Sequence, residues 1–133
     1  MENETRVVIS SAADIVTARL TGRALAKELG FDGSDLTVIA TAISEVARNI
    51  LTYAKQGEIV LRPASHGNKH GIVVVARDEG PGIKNLEKAM QYGYSTGNGL
   101  GVGLPGAKWL MDEFEIESKV GSGTKITMKK WSK

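Results

Sequence analysis

Apolar residues recur along this chain with two spacings, one typical of helices and one typical of strands. In the segment from Asp35 to Tyr53, the apolar positions follow one another at intervals of three or four residues: Leu36, Ile39, Ile43, Val46 and Ile50. That spacing gathers the five side chains on one side of a helix, so the segment is predicted to be a helix that packs against a sheet. Ser34, directly before it, is expected to be the N-cap.

The residues before this helix predict a strand followed by another helix. Thr5 to Ser10 contains three consecutive β-branched residues, which favours a short strand. Ser10 or Ser11 can cap the helix that follows, with Asp14 in its first turn. Gly30 is expected to end that helix.

The middle of the chain predicts a β-hairpin. Its strands are Glu58 to Arg62 and Gly71 to Arg77, and the second is almost entirely apolar, which predicts a central strand covered on both faces. The polar residues 63–70 between them predict a loop. His66 and His70 in this loop could bind a metal. With no third ligand nearby, surface-exposed histidines are the favoured interpretation.

The last third of the chain predicts two more helices and two strands. Residues 83–92 predict a short amphipathic helix, and a glycine-rich run then opens a further helix that ends near Met111. Residues 114–118 and 124–129 alternate polar and apolar positions, which predicts half-buried antiparallel strands.

The predicted elements stand in the order β-α-α-β-β-α-α-β-β. Strands grouped into hairpins, with helices between the groups, predict an α+β fold. We expect a two-layer α/β sandwich in which helices cover one face of a mixed, mostly antiparallel sheet. A chain of 133 residues is long enough for one domain with its own core, so a single domain over residues 1–133 is expected.

Composition excludes several classes of function. The chain has 17 Lys and Arg against 15 Asp and Glu, and this net charge of +2 is too balanced to favour nucleic acid. It has no cysteine, which excludes disulfides and thiolate nucleophiles. No apolar run approaches the ~20 residues that span a bilayer, and the acidic N-terminus lacks a leader segment. We therefore expect a cytoplasmic protein that binds neither nucleic acid nor membrane.

Glycine is concentrated between Gly97 and Gly106, directly before a predicted helix. Such a run can bring backbone N–H groups close to an anion, or it can be a flexible linker; taken alone, it leaves both interpretations open. A dinucleotide fingerprint is disfavoured, because no strand directly precedes the run and residue 121, near the expected acidic position, is glycine. A P-loop is excluded, because Ala107 rather than lysine follows Gly106.

Three short motifs follow one another along the chain. Glu45 to Asn49 reads E-x-x-x-N in a predicted helix, Asp78 to Gly82 reads D-x-G-x-G at a strand end, and Gly97 to Gly103 reads G-x-G-x-G-x-G at a helix start. Gly123 and Thr124 begin the final strand. In this order and on these elements, the set resembles the nucleotide-binding motifs of the Bergerat (GHKL) fold, shared by histidine kinases, Hsp90, type II topoisomerases and MutL.

Further features narrow the resemblance. The chain has no phospho-acceptor histidine on a dimerisation helix and leaves no residues for a transducer domain. It therefore resembles the bacterial serine kinases of the anti-sigma-factor group. Leu104-Pro105-Gly106 after the glycines is typical of the stressosome switch-kinase branch. The resemblance implies ATP and Mg²⁺ as cofactors.

The resemblance also implies a role for four side chains. Asn49 would be the protein ligand of Mg²⁺, which suits its neutral carboxamide oxygen. Glu45, one helical turn earlier, would be the catalytic general base for an incoming serine hydroxyl. Asp78 would accept a hydrogen bond from the adenine amino group, supported by the Thr124 hydroxyl or a bridging water. The plainer alternatives are solvated side chains at Glu45 and Asn49 and a turn-forming aspartate at Asp78.

Glycines and backbone amides complete the implied site. Gly80 and Gly82 would let the chain turn beneath the adenine base. The phosphates would lie against the glycine run and the following helix start, at Gly99, Gly101, Val102, Gly103 and Leu104. Trp109 and Trp131 are expected to be packing residues.

The implied activity is that of an ATP-dependent protein serine/threonine kinase. Its substrates would be STAS-domain antagonist and scaffold proteins, and once released it would bind and activate a PP2C-type phosphatase. Residues 83–98 contain Lys84 and Lys88 but no arginine, so a slow kinase is expected. The alternatives are an anti-sigma factor of the same fold, which sequesters a sigma subunit, and a catalytically silent ATP-binding module.

Overall fold

An antiparallel β-sheet forms the framework of the molecule. The computed structural model of the protein describes residues 4–84, residue 90 and residues 103–132. Within these residues there are five strands, in the spatial order β1-β2-β3-β5-β4, and every neighbouring pair is antiparallel. The strands are β1 (Thr5–Ile9), β2 (Gly57–His66), β3 (Lys69–Asp78), β4 (Glu113–Lys119) and β5 (Gly123–Trp131).

The helices in the described residues cover one face of this sheet. They are α1 (Ala12–Glu28), α2 (Ser34–Tyr53) and α3 (Gly103–Leu110). Alternate strand residues such as Ile59 and Val74 join the helices in one core, whereas residues of the opposite parity point to the other face. The predicted α+β sandwich with helices on one face is therefore confirmed, although the predicted helix over residues 83–92 lies mostly outside the described residues.

Strand β3 is central, as predicted, but the helices described here cover only one of its faces. On the other face, Val73 and Val75 form a small buried cluster with Val60. Val73 pairs across the sheet with Arg62 on one side and Lys129 on the other. Long basic side chains can cover apolar neighbours with their methylene groups. The valines on this face can therefore be shielded from solvent without a second layer of helices.

Helix α2 confirms the predicted apolar stripe. All five of its members are buried in the core: Leu36, Ile39, Ile43, Val46 and Ile50. The predicted cap is wrong by one residue, because Gly33 is the N-cap and Ser34 is the first helical residue. Gly33 has φ +55°, a backbone conformation that glycine adopts without steric cost.

Helix α1 begins as predicted, with Ser11 at the N-cap and Asp14 in the first turn. The Asp14 carboxylate accepts hydrogen bonds from the backbone N–H groups of Ser10 (2.9 Å) and Ser11 (3.1 Å). The Ser10 bond is the main reason that the pKa of Asp14 lies below its usual value.

Further along α1, a Cβ at Gly22 would collide with Cδ1 of Ile43. Gly22 therefore lets α1 approach α2 closely.

The β2–β3 hairpin is longer than predicted. Residues 63–70 were expected to be a loop, but the strands continue to a tight turn at Gly67 and Asn68, where His66 pairs with Lys69. Pro63 is tolerated within β2 because β1 pairs only with residues 57–61, so β2 is an edge strand at that point. The loop prediction is wrong, because these polar residues pair across the hairpin as exposed strand positions.

Candidate functional site

Three polar residues lie in one row across the sheet, at the ends of three neighbouring strands. Thr124 of β5 pairs with Asp78 of β3 on one side and with Ser118 of β4 on the other. Directly paired residues point to the same face, which here is the helix-covered one, because Ala76 and Ile126, two residues away on their strands, are core residues. We call Asp78, Ser118 and Thr124 the strand cluster.

The Asp78 carboxylate stabilises a turn with one oxygen and leaves the other oxygen free to accept a hydrogen bond. Its Oδ1 accepts a hydrogen bond from the backbone N–H of Gly80 at 2.9 Å, as in an Asx turn. Its other carboxylate oxygen has no hydrogen-bond partner among the described residues, and it is not buried away from solvent. Asp78 lines a cavity of about 850 Å³ together with Ser118 and Thr124. Its turn role therefore leaves one oxygen available to a ligand.

Two glycines allow the chain around Asp78 to approach its neighbours closely. Gly123 has φ +97°, and a Cβ there would collide with the Asp78 carbonyl oxygen. Gly82 has φ +79°, and a Cβ there would collide with the Lys119 carbonyl oxygen. The Gly121 N–H also donates a hydrogen bond to the Pro81 carbonyl at 2.8 Å. The loop after β3 is thus fastened to the β4–β5 turn through its backbone.

A second group of residues lies where α2 meets the start of α3. Glu45 and Asn49 of α2 are 8% and 9% exposed. One Glu45 carboxylate oxygen accepts a hydrogen bond from Arg48 Nη1 at 3.2 Å, and the other accepts one from the Gly103 N–H at 3.2 Å. We call Glu45, Asn49 and Gly103 the helix cluster. The expectation of a solvated surface glutamate does not describe Glu45, which bridges two helices.

The Asn49 side chain makes no hydrogen bond with the described residues, although the residue is almost fully buried. None of its polar atoms is both sealed from solvent and without a partner. Buried amides are normally hydrogen-bonded, so this one has an unused bonding capacity that a ligand or metal-bound water could satisfy. Among the described residues, no three His, Asp or Glu side chains are grouped to hold a metal ion. A cation beside Asn49 would therefore draw its other ligands from phosphate and water.

The two clusters meet through the end of α2. A Cβ at Gly80 would lie 2.5 Å from Cβ of Ala54, the residue that follows α2. The loop that carries Asp78 therefore lies against the same end of α2 that carries Asn49. Contact with Ala54 is therefore a structural reason for glycine at position 80, and the predicted turn beneath the adenine base stays a prediction.

The start of α3 contributes backbone groups. Gly103 is its first residue, with φ +68°, and the Leu104 side chain is buried in the core. Helix N-termini present unpaired N–H groups that suit anions. The Gly103 N–H, however, donates to Glu45, so the phosphate contacts of Gly103 and Leu104 stay a prediction. Gly99, Gly101 and Val102, the remaining predicted phosphate contacts, lie outside the described residues.

Ser118 is the site residue that sequence reasoning missed. In β4 the outward positions are charged, three glutamates and Lys119, and the inward positions are Phe114, Ile116 and Ser118. A lone hydroxyl among otherwise apolar inward residues was the signal that could have identified it.

The expectation that Trp109 packs is also wrong, because it is 78% exposed on α3. Trp131 does have neighbours: its Nε1–H donates to Glu113 at 2.7 Å, and its ring lies near that of His66.

Comparison with known families identifies the class of the domain. Residues 8–130 match the histidine kinase-like ATPase domain family. The chain therefore belongs to the histidine kinase-like ATPases.

Individual relatives narrow the class further. The chain is 49% identical over 131 residues to the serine/threonine-protein kinase RsbT of Bacillus subtilis, covering 98% of both chains. It is 36% identical over 120 residues to an anti-sigma F factor of a Thermoanaerobacter species, covering 86% of this chain and 82% of that protein. The first similarity confirms the expectation that the chain is an enzyme, a serine/threonine-protein kinase of the Bergerat type.

Solved structures support the fold. The crystal structure of the RsbU and RsbW domains of a Mycobacterium tuberculosis protein matches with a TM-score of 0.61 and 24% identity, over 96% of this chain and 31% of that longer chain. The mycobacterial sensor histidine kinase MprB matches with a TM-score of 0.56 and 14% identity, over 98% and 97% of the two chains. Separately, no helix in the described residues is long and apolar enough to cross a membrane.

Proposed function

We propose that this chain transfers the γ-phosphate of ATP, with Mg²⁺, to a serine or threonine of a STAS-domain antagonist or scaffold protein in a bacterial stress-signalling partner switch. Once released from that substrate, it activates a PP2C-type phosphatase. It acts in the cytoplasm. The observation that carries the kinase proposal is the buried Glu45 carboxylate, held at the start of α3 beside the buried amide of Asn49.

The strand cluster would hold the adenine base. Asp78 offers a carboxylate oxygen without a partner among the described residues, and such an oxygen suits the amino group of adenine. Thr124 lies directly beside it across the sheet and is 7% exposed. A carboxylate and a hydroxyl side by side can pair with a donor and an acceptor on one edge of a base, which suits adenine.

The helix cluster would carry the chemistry. Mg²⁺, when bound through Asn49, would neutralise charge on the phosphates. The Glu45 carboxylate would accept the proton of the attacking hydroxyl as general base. Arg48 keeps that carboxylate oriented through its 3.2 Å ion pair, and the Gly103 N–H fixes its other oxygen. A base whose position is set in this way needs little reorganisation before proton transfer.

A transfer assay tests the kinase proposal. The protein is incubated with γ-labelled ATP, Mg²⁺ and a STAS-domain protein encoded beside it, and the matched control is the same STAS protein with its candidate serines and threonines changed to alanine. We expect label on the first and none on the second. Transfer should stop when EDTA removes Mg²⁺. Label on neither protein, in the presence of normal ATP binding, contradicts the kinase proposal and favours a silent binding module.

An anti-sigma factor is the second candidate, and the 36% identity to an anti-sigma F factor favours it. A pull-down with purified sigma factors separates the two functions. We expect no stable complex with a sigma factor. Stimulation of a purified PP2C-type phosphatase by the free chain, lost when excess STAS protein is added, tests the proposed downstream partner. A tight sigma complex without phosphate transfer would replace the proposal with the anti-sigma function.

A further inference from the structure

Arg48 is an exposed side chain directly beside the helix cluster. Every other residue of α2 from 42 to 50 is buried, whereas the Arg48 side chain is 45% exposed. Its Nη1 donates a hydrogen bond to Glu45 Oε2 at 3.2 Å, and Asn49 is the next residue along the helix. A substrate hydroxyl that approaches Glu45 therefore also comes close to Arg48.

The contact with Glu45 uses only a small part of the Arg48 guanidinium. An arginine side chain carries five N–H donors in a planar fork and is always charged. Among the described residues, Glu45 is the one partner that this fork bonds. Because the side chain is partly exposed, its remaining donors are available to a ligand that has acceptor oxygens.

The proposed reaction brings two negative groups close together. The Glu45 carboxylate must lie near the γ-phosphate to take the proton of the attacking hydroxyl, and the transferring phosphoryl group is itself negative. The two groups repel each other, and solvent screens this repulsion poorly because Glu45 is only 8% exposed. A cation that bonds both groups would remove the repulsion, and Arg48 already bonds one of them.

We propose that Arg48 is a second catalytic residue of the kinase: one guanidinium nitrogen stays on Glu45 while another donates to an oxygen of the transferring phosphoryl group. The inference rests on the proposed kinase function. In the transfer step, the serine or threonine oxygen bonds to the γ-phosphorus, the bond from that phosphorus to the β–γ bridging oxygen breaks, and ADP leaves. The hydroxyl proton goes to Glu45. Arg48 gives up no proton and stabilises the charge on the phosphoryl oxygens, so α2 supplies the arginine that residues 83–98 lack.

Binding of a transition-state analogue tests this contact without the reaction. ADP with aluminium fluoride and Mg²⁺ imitates the phosphoryl group during transfer, whereas ADP with Mg²⁺ alone lacks that group. In Arg48→Met, which keeps an apolar stem, we expect calorimetry to show about 100-fold weaker binding of the analogue and less than about twofold change for ADP. Arg48→Lys keeps the charge but not the fork, and it should lose about tenfold. The matched control is Arg23→Met, at an exposed arginine of α1.

A double-mutant cycle separates this contact from a role that acts only through Glu45. If Arg48 only orients Glu45, Arg48→Met causes no further loss in a Glu45→Gln background. Contact with the phosphoryl group predicts a further loss of about tenfold or more, both in the transfer rate and in analogue affinity. If Arg48 instead binds the partner protein, Arg48→Met raises KM for that protein and leaves kcat unchanged.

Several results would overturn the proposal. They are no further loss in the Glu45→Gln background, a change in KM alone, unchanged analogue affinity in Arg48→Met, and a wild-type protein that binds the analogue no more tightly than ADP. If Arg48→Met does not fold, Arg48→Gln replaces it with the same expectations. A wild-type protein that binds ADP normally but transfers no phosphate would instead overturn the kinase function itself.

Discussion

The strand cluster and the helix cluster bring polar groups together by different means. Asp78, Ser118 and Thr124 are far apart along the chain and meet because three strands pair in one register. Glu45 and Asn49 are neighbours because they are four residues apart on α2, and Gly103 is bonded to Glu45 through one backbone N–H. A change at the strand cluster should therefore disturb binding and folding together. A change at the helix cluster should affect the reaction more selectively.

Among the variants that test this difference between the two clusters, the largest effect on ATP binding is expected at Asp78. Asp78→Asn keeps an oxygen that can accept the Gly80 N–H, so the turn should survive. Its amide nitrogen then faces the ligand's amino group with a second donor, and we expect ATP to bind about two to three orders of magnitude more weakly. Calorimetry measures this, with Asp32→Asn in an exposed turn as the control. Unchanged ATP affinity would refute the role of Asp78.

A pair of glycine variants tests whether the strand cluster depends on backbone contact. Gly121→Ala and Gly123→Ala both place alanine at positive φ, but only at Gly123 would the Cβ meet the Asp78 carbonyl. We expect the free energy of unfolding, measured in urea, to fall by about 1 kcal/mol in Gly121→Ala and by about 3 kcal/mol in Gly123→Ala. Equal losses would mean that positive φ alone requires glycine at both sites.

At the helix cluster, Glu45→Gln should slow phosphate transfer while leaving binding nearly intact. Glutamine can still accept the Gly103 N–H, but it cannot take a proton from an attacking hydroxyl. We expect the transfer rate to fall about 10- to 100-fold and ADP affinity to change less than about threefold, since phosphoryl transfer depends mainly on positioning and charge. Glu28→Gln, at the exposed end of α1, is the control. A normal transfer rate would remove Glu45 as the general base.

The smallest effect concerns an ion pair that lines the same cavity as the strand cluster. The hydrogen bond from Arg77 is the main reason that the pKa of Glu58 lies below the usual 4.5, and Arg6 adds to it. Because the folded-state pKa is the lower one, the pair stabilises the fold above pH 4.5 and loses that contribution as the pH falls through the folded-state pKa. The pair is partly exposed, so the contribution should be about 0.5–1 kcal/mol.

Urea unfolding at a series of pH values measures this contribution. Between neutral pH and pH 3, the wild-type protein should lose about 0.5–1 kcal/mol that Glu58→Gln does not lose. Glu115→Gln, which faces Thr127 rather than a basic residue, should follow the wild-type curve. Parallel curves for wild type and Glu58→Gln would show that the ion pair adds nothing to stability.

The same contrast explains how much could be predicted from the sequence. Helix α2 carries a strict apolar period, and that period fixes the buried stripe and the spacing of Glu45 and Asn49. The contact between Glu45 and Gly103 joins residues 58 positions apart, and no local pattern encodes it. Asp78 and Thr124 could be predicted as site residues only from their motifs. Their pairing across the sheet depends on the strand register, which neither segment determines alone.

The errors have local causes. Residues 63–70 were predicted to be a loop because they are polar, but exposed strand positions are polar too. The sequence also does not show where β1 ends, and so does not show that Pro63 lies at an edge of the sheet. Ser118 was overlooked because one serine in a strand of alternating glutamates resembles a surface residue. The close approach of α1 to α2 at Gly22 could not be predicted, since the sequence does not show that Ile43 fills the space beside that glycine.

The contact between Gly22 and Ile43 has an evolutionary consequence. The missing side chain at position 22 and the Cδ1 methyl of position 43 occupy one shared volume between α1 and α2. Neither position can gain atoms unless the other loses them, so the two should vary as a unit during divergence. A larger residue at position 22 alone would push α1 away from the helix that holds Glu45 and Asn49. Selection acting on the chemistry therefore reaches a glycine that touches none of the reacting groups.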